Sequence, residues 1–119
     1  MKLKKKILIV EDDSEIREGL RDLLVDEGYR IELAENGKVA LEKLNGELPF
    51  VILLDLMMSV MDGFTFLAEL EKTMPKVFKD VPVLVLTAAG DRANHVQGAR
   101  QVIKKPIDVD ALLAELEKL

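Results

Sequence analysis

The stretch Phe50-Val51-Ile52-Leu53-Leu54-Asp55 is apolar until it ends abruptly in a carboxylate. A run of this length with β-branched members predicts a strand covered on both faces, as in a parallel sheet packed between helices. Such a strand delivers its last residue to the carboxyl edge of the sheet, where open α/β folds bind ligands. Ile7-Leu8-Ile9-Val10 followed by Glu11-Asp12-Asp13 has the same form. If the two strands are neighbours, the acids that follow both start from one edge.

The remaining sequence supports that arrangement, because strand-like and helix-like patterns alternate throughout. Strand one covers about Lys6 to Val10, and Asp13 or Ser14 can cap a helix with Ile16, Leu20, Leu23 and Leu24 on one face. Gly28 ends that helix as a left-handed cap. Tyr29, Ile31 and Leu33 alternate with Arg30 and Glu32, predicting a half-exposed edge strand. Asn36-Gly37 turns into a short helix with Ala40, Leu41 and Leu44. A third helix carries Leu67, Leu70 and Met74, with Pro75 marking its end. Pro82 opens strand four, Val83 to Leu86, which delivers Thr87 to the same edge as Asp55. Ala88 to Gly98 offers a helix only Val96 as a large apolar residue. A brief fifth strand near Val102-Ile103 leads to Lys104-Lys105-Pro106. Asp108 then caps a helix with Val109, Leu112, Leu113 and Leu116 in one stripe. The expectation is one α/β domain over residues 1–119, with five strands and five helices in strict alternation.

Composition narrows the function. At 119 residues, 49% hydrophobic and 33% charged, the chain can bury a real core. A formal charge of −5 argues against a general nucleic-acid binder. The absence of cysteine excludes thiolate and disulfide chemistry, and a single histidine, His95, excludes any two-histidine site. No apolar run approaches a membrane span. The basic start, Met1 to Lys6, makes a poor signal peptide, so a cytoplasmic location is expected.

Right-handed crossovers and a central strand three favour the flavodoxin-like order 2-1-3-4-5, with the switch point between strands one and three. Glu11, Asp12 and Asp55 would then converge. Two carboxylates about 4 Å apart repel by roughly 4 kcal/mol at an effective dielectric of about 20. A hard dication such as Mg2+ relieves that repulsion, and Asp55 becomes a candidate nucleophile toward phosphorus. Lys105 is placed to offer an ammonium to phosphoryl oxygens, and Thr87 a hydroxyl. The plain alternatives are a charged turn at Glu11-Asp12, helix caps at Asp13 and Ser14, turn chemistry at Asp62-Gly63, and local packing for Met57, Met58 and Met61.

Val10-Glu11-Asp12-Asp13, Asp55 through Gly63, Leu86-Thr87-Ala88 and Lys105-Pro106 resemble the receiver domains of two-component response regulators, in order and over essentially the whole chain. The resemblance implies that Asp55 accepts phosphate from the phosphohistidine of a sensor histidine kinase or phosphotransfer protein. It implies that Glu11, Asp12, Asp55 and the Met57 carbonyl arrange Mg2+. It further implies that Thr87 and Lys105 contact the phosphoryl group, that Lys105-Pro106 is cis, and that phosphorylation switches binding of a downstream protein. No direct nucleic-acid or membrane partner is expected.

This chain departs from the family in three places. Ser59 stands where proline is usual, and Val102 stands three before the lysine, where many members carry Tyr or Phe. The Thr87-to-Lys105 interval is also about one helical turn short. These departures carry the competing reading, a degenerate receiver acting as a phosphorylation-independent interaction module. A flavin-binding protein fits poorly, because three acids after strand one would repel a flavin phosphate. A phosphohydrolase would want an acid two after Asp55, where Met57 stands. Met57, and Ala89 two after Thr87, offer no polar group to orient water, so slow self-dephosphorylation is expected. The chain ends after its last helix, so no output domain is expected within it.

Overall fold

The computed structural model describes residues 5–88 and 96–119. Its elements are β1 (Lys6–Val10), α1 (Ser14–Asp26), β2 (Arg30–Ala34), α2 (Gly37–Lys43), β3 (Val51–Asp55), α3 (Gly63–Thr73), α4 (Pro75–Asp80), β4 (Val83–Thr87), β5 (Gln101–Lys104) and α5 (Val109–Glu117). The strands form one sheet in the order β2-β1-β3-β4-β5, and every pairing is parallel. This is the flavodoxin-like arrangement expected from the apolar runs, with β2 at an edge.

The continuous apolar strands serve two cores at once. Leu8, Val10, Ile52, Leu54, Val83 and Val85 face one side of the sheet and pack against Ala40 of α2, Leu44 at its C-cap, and Phe66, Leu67 and Leu70 of α3. Their neighbours Ile7, Ile9, Val51, Leu53, Leu84 and Leu86 face the other side, against Leu20 and Leu24 of α1 and Leu112 and Leu116 of α5. Successive strand side chains point to opposite faces, so only an unbroken apolar run can fill both layers. Each such side chain, fully buried, contributes about 1.5–3 kcal/mol.

The helix starts follow from capping. Asp13 Oδ1 accepts hydrogen bonds from the backbone N–H groups of Glu15 and Ile16. Asn36, Asp62 and Asp108 accept in the same way at the starts of α2, α3 and α5. These bonds satisfy donors that have no partner within the helix. Gly28 closes the end of α1 with φ +94°.

Strict alternation does not hold. Pro75 ends α3, as expected, but also opens α4, so two helices lie between β3 and β4. A proline stops the helix before it yet suits the first turn of the next, where its missing N–H costs nothing. Val77 and Phe78 of α4 pack against the α2–α3 side of the core. In the segment read as a helix from Ala88 to Gly98, residues 89–95, with Ala89 and His95, lie outside the described residues. The described ends of that segment are not helical: Val96 is buried and Gly98 has φ +94°. Leu23, expected on the inner face of α1, is 43% exposed.

Candidate functional site

The carboxyl edge of the sheet gathers side chains from four places in the chain. Glu11 and Asp12 follow β1, and Asp55 ends β3 beside it. The register Val10↔Leu54 sets the two strand ends level. Thr87 ends β4 and is fully buried. Lys105 follows β5, and its backbone N–H donates to the Thr87 carbonyl at 2.8 Å.

Glu11, Asp12, Asp55, Met57 and Lys105 line an open cavity of about 210 Å3, with Ala88, the neighbour of Thr87, on its wall. One carboxylate oxygen from each of Glu11, Asp12 and Asp55 lies within 4.8 Å of the other two. Adjacent oxygens around an octahedral Mg2+ ion stand about 3 Å apart and opposite ones about 4 Å, so these three side chains would draw inward to close around a hard cation. Lys105 Nζ donates to Glu11 Oε1 at 3.1 Å and to Asp55 Oδ1 at 3.3 Å. The Met57 N–H also donates to Asp55 Oδ1, at 3.4 Å.

Charge is unbalanced here. Glu11 and Asp55 are almost fully buried, and one ammonium faces both. Burial pushes the Glu11 carboxyl up to about 7, and the adjacent Asp55 adds to the rise. Lys105 and the Asp13 N–H oppose it without prevailing. For Lys105, burial disfavours the ammonium, but its hydrogen bond to Glu11 and the two carboxylate charges outweigh it and raise its pKa. Each partner is thus drawn toward holding a proton. Holding a proton on Glu11 and binding a dication are two solutions to the same excess of negative charge.

The loops that carry these groups are anchored. Arg17 Nη1 of α1 donates to the carbonyls of Glu11 at 2.9 Å and Asp12 at 3.4 Å. The Gly63 N–H donates to the Leu56 carbonyl at 2.8 Å. A Cβ on Gly63 would lie 2.7 Å from Leu56 Cα, so this glycine lets α3 approach the loop after Asp55. Turn chemistry alone does not account for it. Met58 is buried and Met61 packs against the same core, whereas Met57 is 64% exposed. Sequence reasoning also missed Arg17, which reads as one more polar residue on an exposed helix turn. The Lys105-Pro106 bond is cis, as the resemblance implied.

A carboxylate cluster and a lysine at the carboxyl edge of a parallel 2-1-3-4-5 sheet define a flavodoxin-like α/β domain whose site fits Mg2+ and aspartate phosphorylation. The model of the response regulator receiver domain matches residues 7–117. The chain therefore belongs to the response regulator receiver domain family of two-component signalling. It is 36% identical over 118 residues to the response regulator MprA of Mycolicibacterium vanbaalenii, covering 96% of this chain and 49% of that protein. It thus spans about half the length of the curated relatives it matches. Among solved structures, the Thermotoga maritima response regulator TrrA in complex with Mg2+ and BeF superposes with a TM-score of 0.81 at 32% identity, covering 96% of this chain and 97% of that one. The receiver domain of a Pseudomonas aeruginosa sensor histidine kinase, solved with magnesium in its active-site cleft, gives 0.85 at 28% identity, covering 97% and 96%. Among the described residues no helix is long and apolar enough to cross a membrane.

Proposed function

We propose that this domain accepts a phosphoryl group on Asp55 from the phosphohistidine of a sensor histidine kinase or phosphotransfer protein, and thereby switches binding of a downstream protein. The observation that carries this reading is the approach of Glu11, Asp12 and Asp55 within 4.8 Å, with Lys105 bonded to two of them. Glu11, Asp12, Asp55 and the Met57 carbonyl would hold Mg2+, which when bound neutralises the carboxylates and the phosphoryl oxygens. An Asp55 carboxylate oxygen attacks phosphorus; the P–N bond breaks and its electron pair stays with the imidazole. Lys105 exchanges its bond to Asp55 for one to a phosphoryl oxygen. Thr87, at the end of β4, offers its hydroxyl to the same group, and its displacement carries the signal outward. Met57 supplies no polar side chain beside Asp55, which supports a long-lived adduct.

Incubation with Mg2+ and a small phosphodonor should yield a hydroxylamine-labile adduct that Asp55→Asn abolishes and EDTA prevents. An adduct retained in Asp55→Asn refutes the assignment. A second reading, a phosphorylation-independent interaction module, is favoured by Val102, an aliphatic residue in β5 where many receivers carry an aromatic. Identical affinity for a captured partner with and without beryllofluoride and Mg2+ would support that module.

A further inference from the structure

Just past the end of β1 the backbone leaves the sheet. The Glu11 N–H still reaches the Ala34 carbonyl of β2, at 3.1 Å. The carbonyls of Glu11 and Asp12 are bonded from another side, by Arg17 Nη1 of α1 at 2.9 and 3.4 Å. We propose, resting on the cation-site reading above, that Arg17 is a positioning residue for that site. It holds these two carbonyls, aims the Glu11 and Asp12 carboxylates at the cation, and sets Mg2+ affinity without touching the ion.

The donor group suits that role. The hydrogens of a guanidinium lie at fixed directions in one plane, so two carbonyls bonded to it are fixed relative to each other. Consecutive peptide groups fixed in this way set where the side chains between them point. Here one oxygen each of Glu11 and Asp12 lies within 4.8 Å of the other and of an Asp55 oxygen. Bonds from a charged donor are also stronger than neutral ones. The donor is itself braced: Asp13 caps α1, and the Arg17 backbone N–H donates to the Asp13 carbonyl at 2.9 Å. The acids and the helix start therefore form one unit. Among the described residues Arg17 forms no ion pair, so its charge is turned to backbone oxygens and the carboxylates stay available to the cavity.

Charge and positioning predict opposite signs, which makes the role testable. A guanidinium near the acids repels a dication, so if its charge alone mattered, removing it would tighten Mg2+ binding. If holding the carbonyls matters more, removal weakens binding. Calorimetric titration of the full chain with MgCl2 should show affinity about tenfold weaker in Arg17→Met, the lower end for outer-shell partners, and within about twofold of wild type in Arg21→Met. Arg21 lies one turn further along α1 and bonds Asp22, so its loss controls for helix charge. Affinity in Arg17→Met equal to wild type or tighter, or an equal loss in both variants, overturns the inference while leaving the cation site standing. A fall in stability alone, with Mg2+ affinity kept, reduces Arg17 to a structural residue and overturns it too. If wild type takes up no Mg2+, the cation-site reading and this inference fail together. Should Arg17→Met not fold, Arg17→Lys decides. It keeps the charge on a freely rotating ammonium that cannot fix two carbonyls in one plane, so Mg2+ should still bind more weakly; affinity at or above wild type sinks the proposal.

Discussion

Glu11, Asp55 and Lys105 meet at hydrogen-bond distance although 94 and 50 residues separate the lysine from the two acids. With its pKa near 7, Glu11 in the folded protein holds a proton over a range where the unfolded chain, at 4.5, has released it. The folded state therefore binds more protons between these values, and metal-free stability falls as pH rises from 4.5 to about 7. Removing the ammonium sharpens this dependence, because Lys105 is one of the groups holding Glu11 down. Breaking a buried pair costs about 3–5 kcal/mol; with the Lys105 side chain 20% exposed, solvent trims the loss in Lys105→Met to about 1–3 kcal/mol at about pH 8. Urea denaturation in EDTA should show that loss shrinking at about pH 5, where Glu11 is protonated. An equal loss at both pH values would mean that packing of the lysine stem, not charge, is at stake. The candidates Glu11, Asp12, Asp55 and Thr87 were legible as the residues that end or follow apolar runs, whereas the Met57 carbonyl came only with the family resemblance and Arg17 was missed. The bonds from Lys105 to Glu11, and from Ser59 to Asp12, were not legible, because they depend on how two loops lie across a cavity.

At the scale of elements, glycine positions divide into two kinds. Gly63, the first residue of α3, sits where a Cβ would meet Leu56 Cα at 2.7 Å and the Asp55 carbonyl oxygen at 2.9 Å. Gly19, on the exposed side of α1, has nothing within 4 Å. Gly63→Ala should destabilise by about 1–3 kcal/mol through overpacking against backbone. Gly19→Ala should stabilise by about 0.5–1 kcal/mol through reduced chain entropy in a helix. Chemical denaturation of both variants checks the pair, and a harmless Gly63→Ala would show that the loop after Asp55 yields freely. The caps at Asp13 and Asp108 were legible, whereas Asn36 and Asp62 read only as turn residues and the structure makes both of them caps. The helix opened by Pro75 was not: Pro75-Lys76-Val77-Phe78-Lys79-Asp80 is too short to display a period, and Val77 and Phe78 declare an inner face only against α3.

For the whole molecule, the sheet turns one local binding event into global stability. Glu11 and Asp12 follow β1 and Asp55 ends β3, so an ion that gathers these acids ties distant parts of the chain together. Mg2+ at about a hundred times its dissociation constant should add about 2.7 kcal/mol to unfolding. Thermal melting should show the gain, EDTA should reverse it, and Asp12→Ala should abolish it; a melting temperature indifferent to Mg2+ in wild type would remove the cation from the site. The sequence by itself determined the strands and most helices, the two-sided core and the residues that stand at each strand end. Those features arise from local periodicity and from the need to bury apolar runs. The tertiary structure alone decided the balance of charge among Glu11, Asp55 and Lys105, the grip of Ser59 on Asp12 and the close passage of Gly63. Distances between residues far apart in the chain follow from sheet order, register and loop path together, and no local pattern encodes their sum.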